Sequence, residues 1–407
     1  MSATAQVSDP IKSGAPQRRS EVELLLTCGR ASLHDSRKAR VKELATGDLD
    51  WDYLLQLADR HGLQPLLYWH LNEVCAADVP ERHLQLLRVA FQRVSALNIF
   101  LTHELRRLLS LFAANHITAV PYKGPALALQ LYGNVALRQF SDLDIMVHPR
   151  DVLRARDLLL AEDYALFPPL TEGQQAVMLR TQCNLPFTRE RNRLVVELHW
   201  QVSAPHFARP FDTAGFWGRL GDAKLDDVNI NVPAPEDLML ALCVHGSKHL
   251  WERLAWICDI AGLIESKQEL DWRRLVTQAR DTGSERMLFL GLQLAKNLLD
   301  APLPPDVGKI MAADHAVASL ANGVERHLFT PELTPSGIRG YFLFQLRARR
   351  RLRDKFNYLR FVATPRRGFG SDEAARGPNF CLLPNAAGAP GGDRWAQPFS
   401  LSADGLC

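Results

Sequence analysis

The chain has 407 residues, with 48 Lys and Arg against 45 Asp and Glu, for a net charge of +3. That length can bury a sizeable core and suits two or three domains, while so small a net charge gives no argument by itself for a nucleic-acid partner. The seven cysteines, Cys28, Cys75, Cys183, Cys243, Cys258, Cys381 and Cys407, form no CxxC pair and lie mostly in apolar runs, which argues against a zinc cluster or disulfide framework and suits a reducing, cytoplasmic location.

Residues 1–19 are small and polar and lack the apolar stretch of a signal peptide, so they are expected to be disordered. Over 20–115 the apolar spacing is helical, as in WDYLLQLADRHGLQPLLYWHL, and predicts an N-terminal region of four or five helices, the last one long. The period then changes. Residues 117–122 read as a short strand, 125–132 as a helix with proline in its first turn, 143–147 as a strand and 149–163 as a helix. Residues 184–188 and 194–200 read as a hairpin across the polar turn RERNR, and 230–232 as a small edge strand. A compact α/β core is therefore expected over 116–234. Beyond Pro235 the pattern is helical again, ending in a basic helix predicted over 338–361, so a C-terminal helical domain is expected over 235–364. No apolar run approaches the length of about 18 residues that a membrane span needs. Over 365–407, Gly, Pro, Ala and Ser are in excess and periodicity fails; this tail is expected to be disordered, and a reading-frame change near Arg366 would produce such a sequence.

The chemistry concentrates in VPYKGPALALQLYGNVALRQFSDLDIMV, residues 120–147. Asp142 and Asp144 are two apart on a predicted strand, so both point to one face. Neighbouring carboxylates repel unless a positive charge lies between them, and a divalent metal with oxygen ligands is the usual answer. Glu197, in the β-prone run VVELHW, supplies a third acid if its strand lies alongside. Three such carboxylates suit Mg²⁺ or Mn²⁺, with which a site can bind a nucleoside triphosphate and activate an attacking hydroxyl. A lone DxD is a weak signal, because Asp also caps turns beside strands. Here the apolar IMV that follows makes uncompensated burial costly, and a Lys-Gly turn precedes by one helix. Gly124 lets the backbone approach an anion, the N–H groups opening the next helix favour negative charge, and Lys123 adds a point charge; the plainer reading is a strand-to-helix turn with a solvated lysine. Arg138 can reach a phosphate or the Asp pair, or form a structural ion pair.

These residues resemble the nucleotidyltransferase superfamily typified by DNA polymerase β, whose signature is a Gly-containing turn opening a helix, Dx[DE] on the next strand and a third acid on a later strand. The wider pattern comprises the KG turn, R…SDLDIMV from Arg138, E-x-HW at Glu197 and HGSKHLWERLAWICDIAGLI from His245. It resembles a bacterial branch of uncharacterised nucleotidyltransferases across roughly residues 57–361. The resemblance implies an α+β fold, a small mixed β-sheet core with helices on its faces between the two helical regions. It implies metal-dependent transfer of a nucleoside monophosphate from an NTP, with Asp142, Asp144 and Glu197 as catalytic ligands of Mg²⁺ or Mn²⁺. Lys123, Gly124 and Arg138 would serve the nucleotide, and His245, Lys248 and Asp259 would line the substrate side. The sequence departs from the superfamily at Pro125, where a second Gly or a Ser is common, and in its longer spacing from Gly124 to Asp142.

His199, two residues from Glu197, is either a partner of that acid, a general base or a satisfied structural histidine. His245 and His249 share one helix face and resemble half a zinc site, but Gly246 stands where HExxH has its glutamate, and a packed helix face is the plainer reading. The basic run LRARRRLRDK, 346–355, can contact nucleic acid or a membrane surface, or be a solvated helix face. No P-loop, dinucleotide fingerprint or nucleophilic triad signature is present. The expected function is nucleotidyl transfer to an unidentified small-molecule, protein or RNA acceptor. The alternatives are a catalytically silent nucleotide-binding scaffold of the same fold and a His-dependent metal hydrolase.

Overall fold

The computed structural model describes residues 18–189, 194–208, 213–266, 269–330 and 337–363. The disorder expected over 1–19 and 365–407, and the frame change, fall outside the described residues apart from Arg18 and Arg19, as does most of the RERNR turn.

Five strands form a mixed sheet: β1 (Ala119–Pro121), β2 (Asp142–Val147), β3 (Ala165–Leu166), β4 (Asn184–Arg189) and β5 (Leu194–His199), in the order β1-β2-β5-β4-β3. β2 and β5 run parallel, and the other neighbours are antiparallel. Alternation decides what each face carries. Leu143, Ile145 and Val147 of β2 join Leu194, Val196 and Leu198 of β5, with Leu185 and Phe187 of β4, in one buried cluster, each side chain contributing about 1.5–3 kcal/mol. Slipping either strand by one residue would turn this apolar set outward and the carboxylates inward, so burial fixes the register. The opposite face carries Asp142, Asp144, Glu197 and His199.

Five helices precede the sheet, from Ser20–Cys28 to the long Glu81–Ala114, and Pro235–Lys248, Leu254–Glu265 and Glu285–Leu299 are among those that follow it. The two stretches are distant in sequence but pack together: Leu24 and Leu67 share a single hydrophobic cluster with Leu240, Ile260, Leu290 and Leu328. Buried His61 stitches them further. Its Nε2 faces the Leu328 carbonyl at 3.0 Å, and its Nδ1 accepts from the Leu254 N–H at 3.3 Å.

The turn between Pro235–Lys248 and Leu254–Glu265 is held by Trp251. Leu250 and Trp251 both adopt φ +56°, a costly conformation for bulky residues, which burial of the fully enclosed indole offsets. The ring needs glycine on two sides. A Cβ at Gly246 would lie 2.6 Å from the indole, and one at Gly291 would lie 2.9 Å from it and 2.6 Å from Cys243 Sγ.

Two elements differ from the sequence reading. The expected edge strand at 230–232 is instead β7 (Val228–Val232), paired antiparallel with β6 (Gly221–Leu225) in a separate two-stranded ladder. GDAKL carries no β-branched or aromatic residue to mark β6. The single basic helix over 338–361 is two helices, Gly337–Arg347 and Leu352–Ala363, broken between them. The break follows from Arg349, which is 1 % exposed. Its guanidinium lies between the rings of Phe207 (4.6 Å) and Tyr358 (4.2 Å) and donates to the Phe207 carbonyl at 3.3 Å. Arg350 pairs with Glu285 and Arg347 donates to Ser319, so much of this basic run is engaged within the chain. Among the described residues no helix is long and apolar enough to cross a membrane.

Gly246→Ala should destabilise the protein by about 1–3 kcal/mol through overpacking against Trp251, read from the denaturation midpoint; an unchanged midpoint would mean the indole is free to shift. Burial pushes His61 down to about 4, with Arg60 adding to the shift. The unfolded chain therefore takes up this proton first. The stability His61 contributes is complete above pH of about 6.5 and lost as pH falls toward 4, by up to about 3 kcal/mol. His61→Gln should flatten the stability profile across that window, whereas parallel profiles for the two proteins would contradict the assignment.

Candidate active site

Register builds the acid cluster. The parallel pairing of β2 with β5 sets Asp144 directly opposite Glu197, and Met146 opposite His199. Asp144 Oδ1 receives Lys123 Nζ at 3.0 Å and His199 Nε2 at 3.0 Å. The same His199 nitrogen lies 3.1 Å from Glu197 Oε2, which also accepts from Asn184 Nδ2 at 2.8 Å. Tyr122 places its hydroxyl 3.2 Å from His199 Nδ1. Asp144, Glu197 and His199 each offer one ligand atom within 4.8 Å of the others, the one such group among the described residues. Asp142 lies outside that tight group. It lines the same cavity and has no hydrogen-bond partner among the described residues.

The Lys-Gly turn is pressed onto the end of the acid strand. Gly124 takes φ +57°, the left-handed region that favours glycine, and a Cβ there would be in ordinary contact with the Asp142 carbonyl at 3.4 Å. The helix Gly124–Tyr132 opens at this point. Lys123 is thus not a solvated turn residue. Its side chain is 13 % exposed and packed into the carboxylates.

Electrostatics divides the acids. Burial would raise Asp144, but Lys123 and a hydrogen bond from His199 outweigh it and hold Asp144 well below the usual carboxylate range. Burial raises Asp142 to about 7, with Asp144 and Glu197 adding to the shift. For His199, burial works against the charged form, but the bond to Asp144 prevails and keeps the imidazolium favoured. Two cationic side chains therefore serve three acids. This donor set fits a divalent ion: Asp144 and Glu197 bring oxygens to one spot, Asp142 lines the same cavity, and Lys123 with His199 supplies the positive charge such an ion would bring.

The cavity of about 660 Å³ has the acid face on one side and, on the other, His245, Lys248 and His249 at the end of Pro235–Lys248, with Arg253 and Trp256 at the start of Leu254–Glu265. That volume lies within the range of small-molecule sites. The His245 and His249 rings are 4.7 Å apart, and Trp256 lies 5.1 Å and 5.6 Å from them. Burial pushes both imidazoles well below their ordinary range, and the charges of Lys123 and Lys248 push the same way. The pair belongs to no three-ligand group among the described residues.

Of the alternatives open for Arg138, the structure shows the structural ion pair, and its partner is Asp259, which was expected on the substrate side. Arg138 donates to Asp259 at 2.9 and 3.0 Å, and the Tyr132 hydroxyl donates to the same carboxylate at 3.1 Å. Asp259 is 1 % exposed and does not line the cavity, so it is a buried strut rather than a substrate contact. Arg138 borders the cavity; its guanidinium hydrogen-bonds Asp259, and its charge also acts on Asp142 from a distance. A carboxylate inside the apolar helix Leu254–Glu265 needs a cation beside it, and Arg138 reaches it from the segment leading into β2. Sequence reasoning missed Tyr122, Asn184 and Trp256. Asn184 is opposite His199 in the β4–β5 ladder, a relation that becomes visible once the hairpin is aligned residue by residue.

A family model described as uncharacterised nucleotidyltransferase matches residues 47–300, well over half of the chain. The chain belongs to this family, and the match takes in the Lys-Gly turn, all three acids and the helical wall of the cavity. No curated protein matches the chain.

Arg138→Met leaves the Asp259 carboxylate buried without its cation and should cost about 3–5 kcal/mol, measured by chemical denaturation. A loss below about 1 kcal/mol, the range of exposed pairs, would show that the strut is not needed.

Proposed function

We propose that this protein is an enzyme that transfers a nucleoside monophosphate from an NTP to an acceptor hydroxyl or phosphate, with release of pyrophosphate. The observation that supports this most is the pairing of Asp144 with Glu197 across parallel strands, with Asp142 on the same face beside the Lys-Gly turn. Asp142, Asp144 and Glu197 would hold Mg²⁺ or Mn²⁺. Bound there, such an ion offsets charge on the transferring phosphorus and lowers the pKa of an attacking hydroxyl. Asn184 orients Glu197, and Tyr122 with His199 fixes the inner edge of the cluster. Lys123 and the N–H groups that open Gly124–Tyr132 favour the triphosphate, although Pro125 contributes no N–H. Lys248 and Arg253 line the far side, where anionic parts of either substrate meet positive charge. An RNA acceptor would rest on the basic run 346–355, of which Arg347, Arg349 and Arg350 already have partners in the chain. Five cysteines are buried free thiols, which suits the reducing cytoplasm as the place of action.

The test is incubation of the purified chain with each α-phosphate-labelled NTP and Mg²⁺ or Mn²⁺ in host lysate. Label should enter one of the protein, RNA or small-molecule fractions, and Asp142→Asn or Asp144→Asn should reduce it by on the order of 100-fold or more with folding intact. Wild-type-like transfer by those variants would refute the assignment, and metal-dependent NTP binding with no transfer to any fraction would favour a silent binding protein instead.

A further inference from the structure

Beside Lys248 and Arg253, the cavity lining away from the acid cluster carries three aromatic rings. His245, His249 and Trp256 lie within 4.7–5.6 Å of one another, centroid to centroid. All three border the cavity, and each is only partly covered by the rest of the chain. Their planes are tilted 51–80° to one another, so a flat ring entering the cavity can stack on one of them, the broad Trp256 indole, with the imidazoles at its edge.

Two further observations narrow the ligand. Ser203 and Gln139 line the same cavity. The Ser203 side chain is 6 % exposed, and neither its Oγ nor the buried Gln139 Oε1 has a hydrogen-bond partner. An unpaired buried polar atom is costly unless something binds it. A hydrocarbon ring would satisfy the stack and leave these atoms orphaned. A heteroaromatic ring with hydrogen-bonding edges answers both.

We propose that the wall formed by His245, His249 and Trp256 is a nucleobase subsite, in which the base of the NTP stacks on Trp256 and its polar edge engages Gln139 and Ser203. The subsite rests on the reading of the acid cluster as a triphosphate site, but it predicts something that reading does not: a contribution from the base alone. It also makes Trp256 a residue of ligand selection, not of chemistry.

Equilibrium binding of the full chain to Mg²⁺–ATP and to Mg²⁺–inorganic triphosphate separates the two. The wild type should bind ATP about 10-fold or more tightly than triphosphate, as stacking of one base allows. Trp256→Leu, which keeps apolar bulk and removes the π face, should erase most of that difference while leaving triphosphate affinity unchanged. Trp256→Phe should restore it. Ser203→Ala, which leaves the platform intact, should weaken ATP several-fold and triphosphate not at all; it serves as the independent variant if Trp256→Leu loses its cooperative melting. Equal affinity of the wild type for both ligands overturns the subsite and leaves the triphosphate reading standing, as does an ATP advantage that survives both Trp256→Leu and Ser203→Ala. Failure of the wild type to bind either ligand overturns the triphosphate reading and the subsite with it.

Discussion

Two carboxylates directly opposite each other on neighbouring parallel strands cannot remain both charged and half-buried without positive charge between them. Asp144 and Glu197 are in that position because the apolar residues on the other face of β2 and β5 admit one register. Their compensation determines much of what surrounds them. Lys123 is held in the turn before Gly124–Tyr132, His199 is raised into its charged form, and Asn184 and Tyr122 hold the two ends of the arrangement. Three acids against two cations leave Asp142 raised toward neutrality by burial and by its two acidic neighbours, and the proposed divalent ion would relieve that repulsion.

The helical regions provide the rest of the cavity, and four buried contacts keep that wall in place. Trp251 sets the turn that presents His245 and His249 on one side and Arg253 and Trp256 on the other. The Arg138–Asp259 pair ties the lead-in of β2 to Leu254–Glu265. On the far side, Gln345 donates to the Ser247 carbonyl at 2.9 Å, while Arg349 clasps the segment bearing Phe207, itself part of the cavity lining. The last two helices lie beyond the matched residues 47–300, so part of what braces the cavity wall lies outside the family match.

How much of this could be read from sequence depended on range. Local alternation placed Asp142 and Asp144 on one face, and the β-prone run around Glu197 marked a strand able to lie beside them. What sequence did not reveal were pairings that depend on three-dimensional packing. Asp259 and Arg138 each look like site residues when read alone; only the packing of an apolar helix against the turn before β2 makes them partners. The basic run at 346–355 reads as a continuous helix because nothing local shows that Arg349 is enclosed between Phe207 and Tyr358. β6 escaped notice because its residues carry no strand preference and it is held by its partner β7. His199 sat in the sequence beside Glu197 with its role open, and the structure puts it between Asp144 and Glu197.

The central claim is that the acids on β2 and β5 hold a divalent cation, and direct Mn²⁺ binding tests it without requiring a known acceptor. Titration of the full chain, followed by the electron paramagnetic resonance of free Mn²⁺, should reveal a saturable site that Mg²⁺ displaces and that Glu197→Gln abolishes. Absence of saturable binding, or binding that survives loss of both Asp144 and Glu197, would contradict the account.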